Sequence, residues 1–265
     1  MKSKIYNLII LDQSGSMSSI CNQAIAGVNE TIGTIKADDR KNSEDCEQFI
    51  SLVAFCGCNT SFIMENVPAQ EAKTITQNDY SPCCSTPLYD AMGMSLTKLH
   101  NLIKDQKAIA SVTIITDGYE NSSREYDHKA VKALIDRLKA EGWMFAYIGA
   151  DHDVESVSIS LSIDHHIKFD KSARGTQGMF ARERASRSSW SRKCAMLSRM
   201  LKDSDDCSAF ASNMVKVNKE EYFVDDNDMW CFEITEIFCH FFFKILWIDR
   251  IWVTRIIKSV ECFGI

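Results

Sequence analysis

Asp12, Ser14 and Ser16 offer one carboxylate and two hydroxyls from alternate positions of a single tight loop. Gly15, between the serines, permits a backbone conformation that other residues resist. Every donor atom in this set is a hard oxygen, which suits Mg²⁺, Mn²⁺ or Ca²⁺ and serves Zn²⁺ or copper poorly. Asp117 could add a second carboxylate from another loop, and Thr86, between Pro82 and Pro87, a third hydroxyl. Taken singly, Asp and Ser are more often helix caps or turn residues. Turn chemistry does not demand all three loops together.

The elements that must position these groups are legible as runs. Ile5–Leu11 is a short apolar stretch of the kind buried on both faces of a parallel sheet, and it ends abruptly in the Asp12 loop. A helix is expected over Ser19–Lys36, with Ile20, Ala24, Val28, Ile32 and Ile35 on one face, and Ala37–Glu47 reads as a charged loop. Phe49–Phe55 and Thr60–Val67 read as strands joined by a hairpin turn at Gly57-Cys58-Asn59. A helix from Leu88 to Lys104 and a strand over Ile109–Thr116 follow, the strand running into Asp117-Gly118. Helix, strand and helix are then expected at Tyr126–Glu141, Trp143–Ile148 and Val154–Leu161. His166–Phe169 reads as a last short strand, and Thr176–Lys202 as a long polar helix. Alternating strands and helices imply an α/β fold, a doubly wound and mostly parallel sheet with helices on both faces. Ligands of such sheets bind at the carboxyl ends of strands, where strand order reverses. Asp12 and Asp117 both follow buried strands.

Three segments carry a resemblance. Asp12-Gln13-Ser14-Gly15-Ser16 resembles the D-x-S-x-S signature of von Willebrand factor type A domains. Ser85-Thr86-Pro87-Leu88-Tyr89-Asp90-Ala91 resembles the loop bearing that family's metal-ligating threonine. Ile115-Thr116-Asp117-Gly118 resembles its third metal loop, and Asn121 fits the T-D-G-x-x-N form of many bacterial members. The resemblance spans residues 4 to 170 and is nearest to bacterial, intracellular members. It implies a Rossmann-like fold and a metal-ion-dependent adhesion site. Asp12, Ser14, Ser16, Thr86 and Asp117 would then hold Mg²⁺, or Mn²⁺ or Ca²⁺. The hydroxyls would bind directly or through water and the aspartates largely through water. One open position would await an Asp or Glu of a protein partner, because an ion held mainly by neutral groups keeps positive charge.

Enzymatic readings are weaker. A haloacid-dehalogenase-type phosphatase needs a second Asp where this chain has Ser14, and no dinucleotide or phosphate-loop glycine motif follows a strand. A metal-dependent hydrolase using the same ion is the alternative, with His152 as base. A protein that is not an enzyme is expected. His165-His166 reads as surface. Cys56 and Cys58, with Cys83 and Cys84, lack the usual zinc spacing and read as inert thiols, although oxidation at Cys83-Cys84 would disturb the loop of Thr86.

The net charge of −6 argues against nucleic acid as the main partner. Eleven cysteines without a framework spacing read as reduced thiols, and no secretory signal is evident, so a cytoplasmic location is expected. Residues 1–172 should form the α/β domain and 173–220 a basic helical extension. That extension, with Arg174, Arg182, Arg184, Arg187, Arg192, Lys193, Arg199 and Lys202, is more readily packed on its own acidic domain than on a foreign partner. The apolar, aromatic tail, 221–265, matches nothing in the family. Charges at Glu233, Glu236, Lys244, Asp249, Arg250 and Arg255 break 230–257 too often for a membrane span. Membrane-surface contact and a scaffold role, an extra packed helix pair, and a segment from a shifted reading frame all stay open.

Overall fold

A strand that sits in mid-sheet loses both faces to the core, and the Ile5–Leu11 run meets that condition: every residue in it is buried. In the computed structural model it forms β1, Ser3–Asp12. The structure describes residues 2–150, 153–201, 207–220 and 222–223, which fall within one compact unit. The remaining strands are β2 (Cys46–Cys56), β3 (Asn59–Pro68), β4 (Ala108–Thr116), β5 (Met144–Gly149) and β6 (His165–Lys168). The helices are α1 (Cys21–Lys41), α2 (Leu88–Ile103), α3 (His128–Ala140), α4 (Val154–Ser160), α5 (Ala173–Met200) and α6 (Cys207–Val217).

The sheet order is β3-β2-β1-β4-β5-β6. All pairings are parallel except the β2–β3 hairpin, so the expected α/β, doubly wound, mostly parallel arrangement is what the chain adopts. Strand order reverses between β1 and β4, the place where such sheets bind ligands. Leu11 pairs with Ile115, which brings the ends of β1 and β4 out side by side. Helices α1 and α5 pair on one face, and α2 pairs with α3 on the other. The α1–α5 contact is tight enough that a β-carbon on Gly27 would lie 2.1 Å from the Phe180 ring.

Several boundaries differ from the sequence reading. The chain leaves β1 through a 3-10 turn, Gly15–Ile20, before α1 begins. The charged segment expected as a loop continues α1 to Lys41. Its acids are used: Asp39 Oδ1 accepts from the Gln48 backbone N–H at 2.9 Å, and Oδ2 from Gln70 Nε2 at 2.7 Å. Arg40 and Lys41 complement the negative end of the helix dipole. His165 and His166 are half-buried in β6 rather than free on the surface, and His165 Nε2 lies 2.9 Å from the Asn218 carbonyl.

The segment set apart as a basic extension packs with the rest. Helix α5 buries Met179, Phe180, Trp190 and Cys194. Its cations meet acids of the same unit, Arg184 with Glu30 and Arg199 with Asp45. Arg187 is 1% exposed and reaches into the sheet. It donates from Nε to Glu183 Oε1 (2.8 Å), from Nη1 to Asn7 Oδ1 (2.8 Å) and from Nη2 to Thr113 Oγ1 (2.5 Å). Among the described residues no helix is long and apolar enough to cross a membrane. His152 and the 230–257 segment lie outside the described residues.

Burial pushes the Cys46 thiol up to about 12, with the nearby Asp45 and Asp39 charges adding to the effect. An unfolded thiol ionises near 9, so Cys46 supports the fold below that pH and withdraws its support as pH rises towards 12. We expect this one group to cost about 2–3 kcal/mol by pH 11. Urea denaturation of parent and Cys46→Ala at pH 8 and pH 11 checks this: the variant should lose less stability between the two pH values, and equal losses would refute it.

Candidate metal centre

The loop after β1 is fixed before any side chain acts. The Gln13 N–H donates to the Phe55 carbonyl (2.8 Å), the Gly15 N–H to Cys84 O (3.0 Å), and the Cys83 N–H to Gln13 O (2.8 Å). Tyr80, fully buried, donates its hydroxyl to the Asp12 carbonyl at 2.6 Å. These bonds tie the Asp12 loop to the β2 end and to the loop that carries Thr86. Asn121 holds that second loop against the third. Its Oδ1 accepts from the Thr86 N–H (2.8 Å), and its own N–H donates to Thr86 O (3.1 Å).

Within this frame the hydroxyls and carboxylates converge. Ser14 Oγ and Ser16 Oγ lie 3.1 Å apart, and Ser16 Oγ donates to Asp117 Oδ1 at 2.6 Å. Asp12 is fully buried and both its oxygens are engaged. Oδ1 accepts from the Ser14 N–H (2.6 Å) and Oδ2 from Thr116 Oγ1 (2.7 Å). The Thr86 hydroxyl faces the same turn: a β-carbon on Gly118 would sit 3.9 Å from Thr86 Oγ1. Burial raises the Asp12 carboxyl above its usual range, the bonds from Thr116 and Ser14 oppose this, and the Asp117 charge adds to it. Two acids thus share a desolvated space. Lys171, just before α5, sends its ammonium to 2.8 Å from Asp117 Oδ2. That oxygen makes no hydrogen bond, so the contact is an ion pair without hydrogen-bond alignment.

These residues fit a small hard cation. Mg²⁺ binds oxygens at 2.0–2.1 Å in an octahedron, whose edges are ~2.9 Å. The Ser14–Ser16 and Ser16–Asp117 separations are of that size. Both Asp12 oxygens already accept hydrogen bonds, from Ser14 and Thr116. All five residues singled out in the sequence are therefore drawn to one end of the sheet. Thr116, Tyr80 and Lys171 were not singled out. Thr116 sits inside the Ile115–Gly118 motif and could have been suspected as a brace. Nothing local marks Tyr80 or Lys171, which arrive from distant sequence.

Comparison with known proteins adds the fold. No protein-family model and no curated protein sequence matches the chain. Among solved structures it is similar to the pilus adhesin SpaC from Lactobacillus rhamnosus GG, at 14% identity and TM-score 0.52, covering 71% of this chain and 31% of SpaC. The open conformation of SpaC gives 14% identity, TM-score 0.51, and 71% and 30% coverage. The manganese-loaded TRAP protein of Plasmodium vivax is more distant, at 16% identity and TM-score 0.44, covering 64% of this chain and 69% of that one. The chain thus spans about a third of the SpaC adhesin, and the SpaC likeness shows the α/β fold and no more.

Proposed function

We propose that this chain is a metal-dependent protein-interaction module of the von Willebrand factor type A kind. A divalent cation, Mg²⁺ or in its place Mn²⁺ or Ca²⁺, would be held by Ser14, Ser16 and Thr86, with Asp12 and Asp117 acting through water. An Asp or Glu of a partner protein would take the open position. The observation that carries this reading is the convergence of Ser14 Oγ, Ser16 Oγ and Asp117 Oδ1 at the spacing of an octahedral edge. The physical logic is one of charge. Neutral hydroxyls leave the ion under-neutralised, so it attracts an external carboxylate. Lys171 beside Asp117 adds positive charge at the rim, which favours an acidic ligand and opposes the ion itself. The free thiols among the described residues suit a reducing, cytoplasmic setting.

The test is calorimetric titration of Mg²⁺ and Mn²⁺ into the chelator-stripped full chain and into Lys171→Met. The parent should bind one ion. Removing the competing ammonium should tighten binding roughly tenfold, since relief of about 1.4 kcal/mol of repulsion is modest for a cation this close. A folded parent that binds neither ion would overturn the proposal.

A further inference from the structure

Two separate cysteine pairs meet beside the oxygen site. Cys56 ends β2 and Cys58 lies in the hairpin turn that follows. Cys83 and Cys84 lie in the loop leading to Thr86. Gly57 brings the two segments together. Its N–H donates to Ser85 O at 2.8 Å, and a β-carbon there would sit 2.1 Å from Ser85 Oγ. A side chain at this position would have to push the Ser85 hydroxyl aside and press on the Ser85 backbone N at 3.1 Å. Cys84 adopts a left-handed backbone, φ 59°, a conformation that costs a non-glycine residue free energy and that the surrounding contacts must hold.

The result is a cluster of sulfurs. Cys56, Cys58 and Cys83 place their Sγ atoms within 4.8 Å of one another, and Cys56 Sγ lies 3.2 Å from Cys83 Sγ. The Cys84 thiol lies near those of Cys58 and Cys83, close enough for the groups to interact electrostatically. Cys56 is buried, Cys83 half-buried, and Cys58 and Cys84 exposed. One side of the cluster is therefore anchored in the fold and the other is open to an arriving ion. Tetrahedral zinc binds sulfur at about 2.3 Å, which sets a sulfur–sulfur edge of ~3.8 Å. The Cys56–Cys83 separation is shorter than that edge and the three thiols all fall within 4.8 Å, so the three converge to within about 1 Å of a zinc edge, and side-chain rotation would bring the adjacent Cys84 in as the fourth. In a reducing setting the thiols stay available to a metal, which draws on the whole cluster.

We propose that Cys56, Cys58 and Cys83, with Cys84 as fourth ligand, form a second metal site, specific for a thiophilic divalent cation such as Zn²⁺. It is chemically orthogonal to the oxygen site nearby: soft thiolates select Zn²⁺, and hard oxygens select Mg²⁺. Binding converts each ligating thiol to a thiolate and releases its proton to solvent. The bound ion would clamp the hairpin turn to the loop two residues before Thr86. The site is built on thiols alone, so it stands whether or not the oxygen site holds an ion.

Co²⁺ is the probe, because tetrahedral thiolate coordination gives it intense visible and near-ultraviolet bands that an oxygen site does not. The reduced, chelator-stripped full chain should develop these bands, saturating at one equivalent, and Zn²⁺ should bleach them. Asp12→Ala should keep the bands, while Cys58→Ser/Cys83→Ser should lose them. Absent bands in the reduced parent, or bands undiminished in the double variant, would overturn the proposal. A second readout needs no variant. Zn²⁺ should slow iodoacetamide labelling of Cys58 and Cys84 in the parent at least tenfold, and unchanged labelling would overturn it as well.

Discussion

Arg187→Ala should destabilise the fold by about 3–5 kcal/mol, a loss of roughly 10²–10⁴-fold in the folded-to-unfolded ratio. The guanidinium is 1% exposed and Glu183 is 2% exposed. Arg187 also donates to Asn7 on β1 and Thr113 on β4, so one side chain fastens α5 to the two central strands. Glu183 Oε1 takes the Arg187 bond and one from Thr113, and Oε2 has no hydrogen-bond partner. Truncating the arginine leaves that carboxylate buried and uncompensated, which is the expensive outcome, and leaves Asn7 and Thr113 short of a partner. Replacing both ions tells the two costs apart. Arg187→Met/Glu183→Leu removes the buried charge altogether and should recover most of the loss. Urea midpoints of the three proteins decide the matter. A single variant within 1 kcal/mol of the parent would show that α5 does not depend on this network.

Asp12→Asn and Ser14→Ala should each weaken Mg²⁺ binding, Asp12→Asn by about 10–100-fold as an outer-layer group and Ser14→Ala by at least as much as a direct ligand. Neither should harm the metal-free fold. Asn at position 12 keeps an acceptor for the Ser14 N–H and removes a carboxylate that is costly to bury next to Asp117. Stability therefore serves as a readout independent of any partner. At a hundredfold excess over its Kd, Mg²⁺ should stabilise the parent by about 2.7 kcal/mol, seen as a rise in Tm that a chelator reverses. In chelator, Asp12→Asn should melt at or above the parent. At the same Mg²⁺ concentration both variants should show little rise. Equal magnesium-induced shifts in parent and variants would remove Asp12 and Ser14 from the site.

Local pattern carried the framework because it is written in local periodicity. The buried runs of β1 and β4, the amphipathic stripe of α2 and the acidic turns at Asp12 and Asp117 each follow from a short window of sequence. Where the reading fell short, a distant contact decided. Residues 37–41 look like a loop, yet they stay helical because Asp39 meets Gln48 and Gln70. The basic segment reads as packed on its own acidic domain, but nothing local tells Arg187 from its neighbours, and it alone of the α5 arginines lies in the core because Asn7, Thr113 and Glu183 await it there.

The sequence by itself determined the α/β class and the order of elements from β1 to α5, and singled out five hard-oxygen residues as candidates, since each rests on spacing within a few residues or on motif order along the chain. Tertiary structure alone decided how those residues are held and what surrounds them. Tyr80 braces Asp12 from 68 residues away, Lys171, just before α5, pairs with Asp117 after β4, and two unremarkable cysteine pairs become one cluster. Spacing along the chain cannot encode such meetings, because they depend on which strand ends the sheet order places side by side and on where a glycine lets two backbones touch.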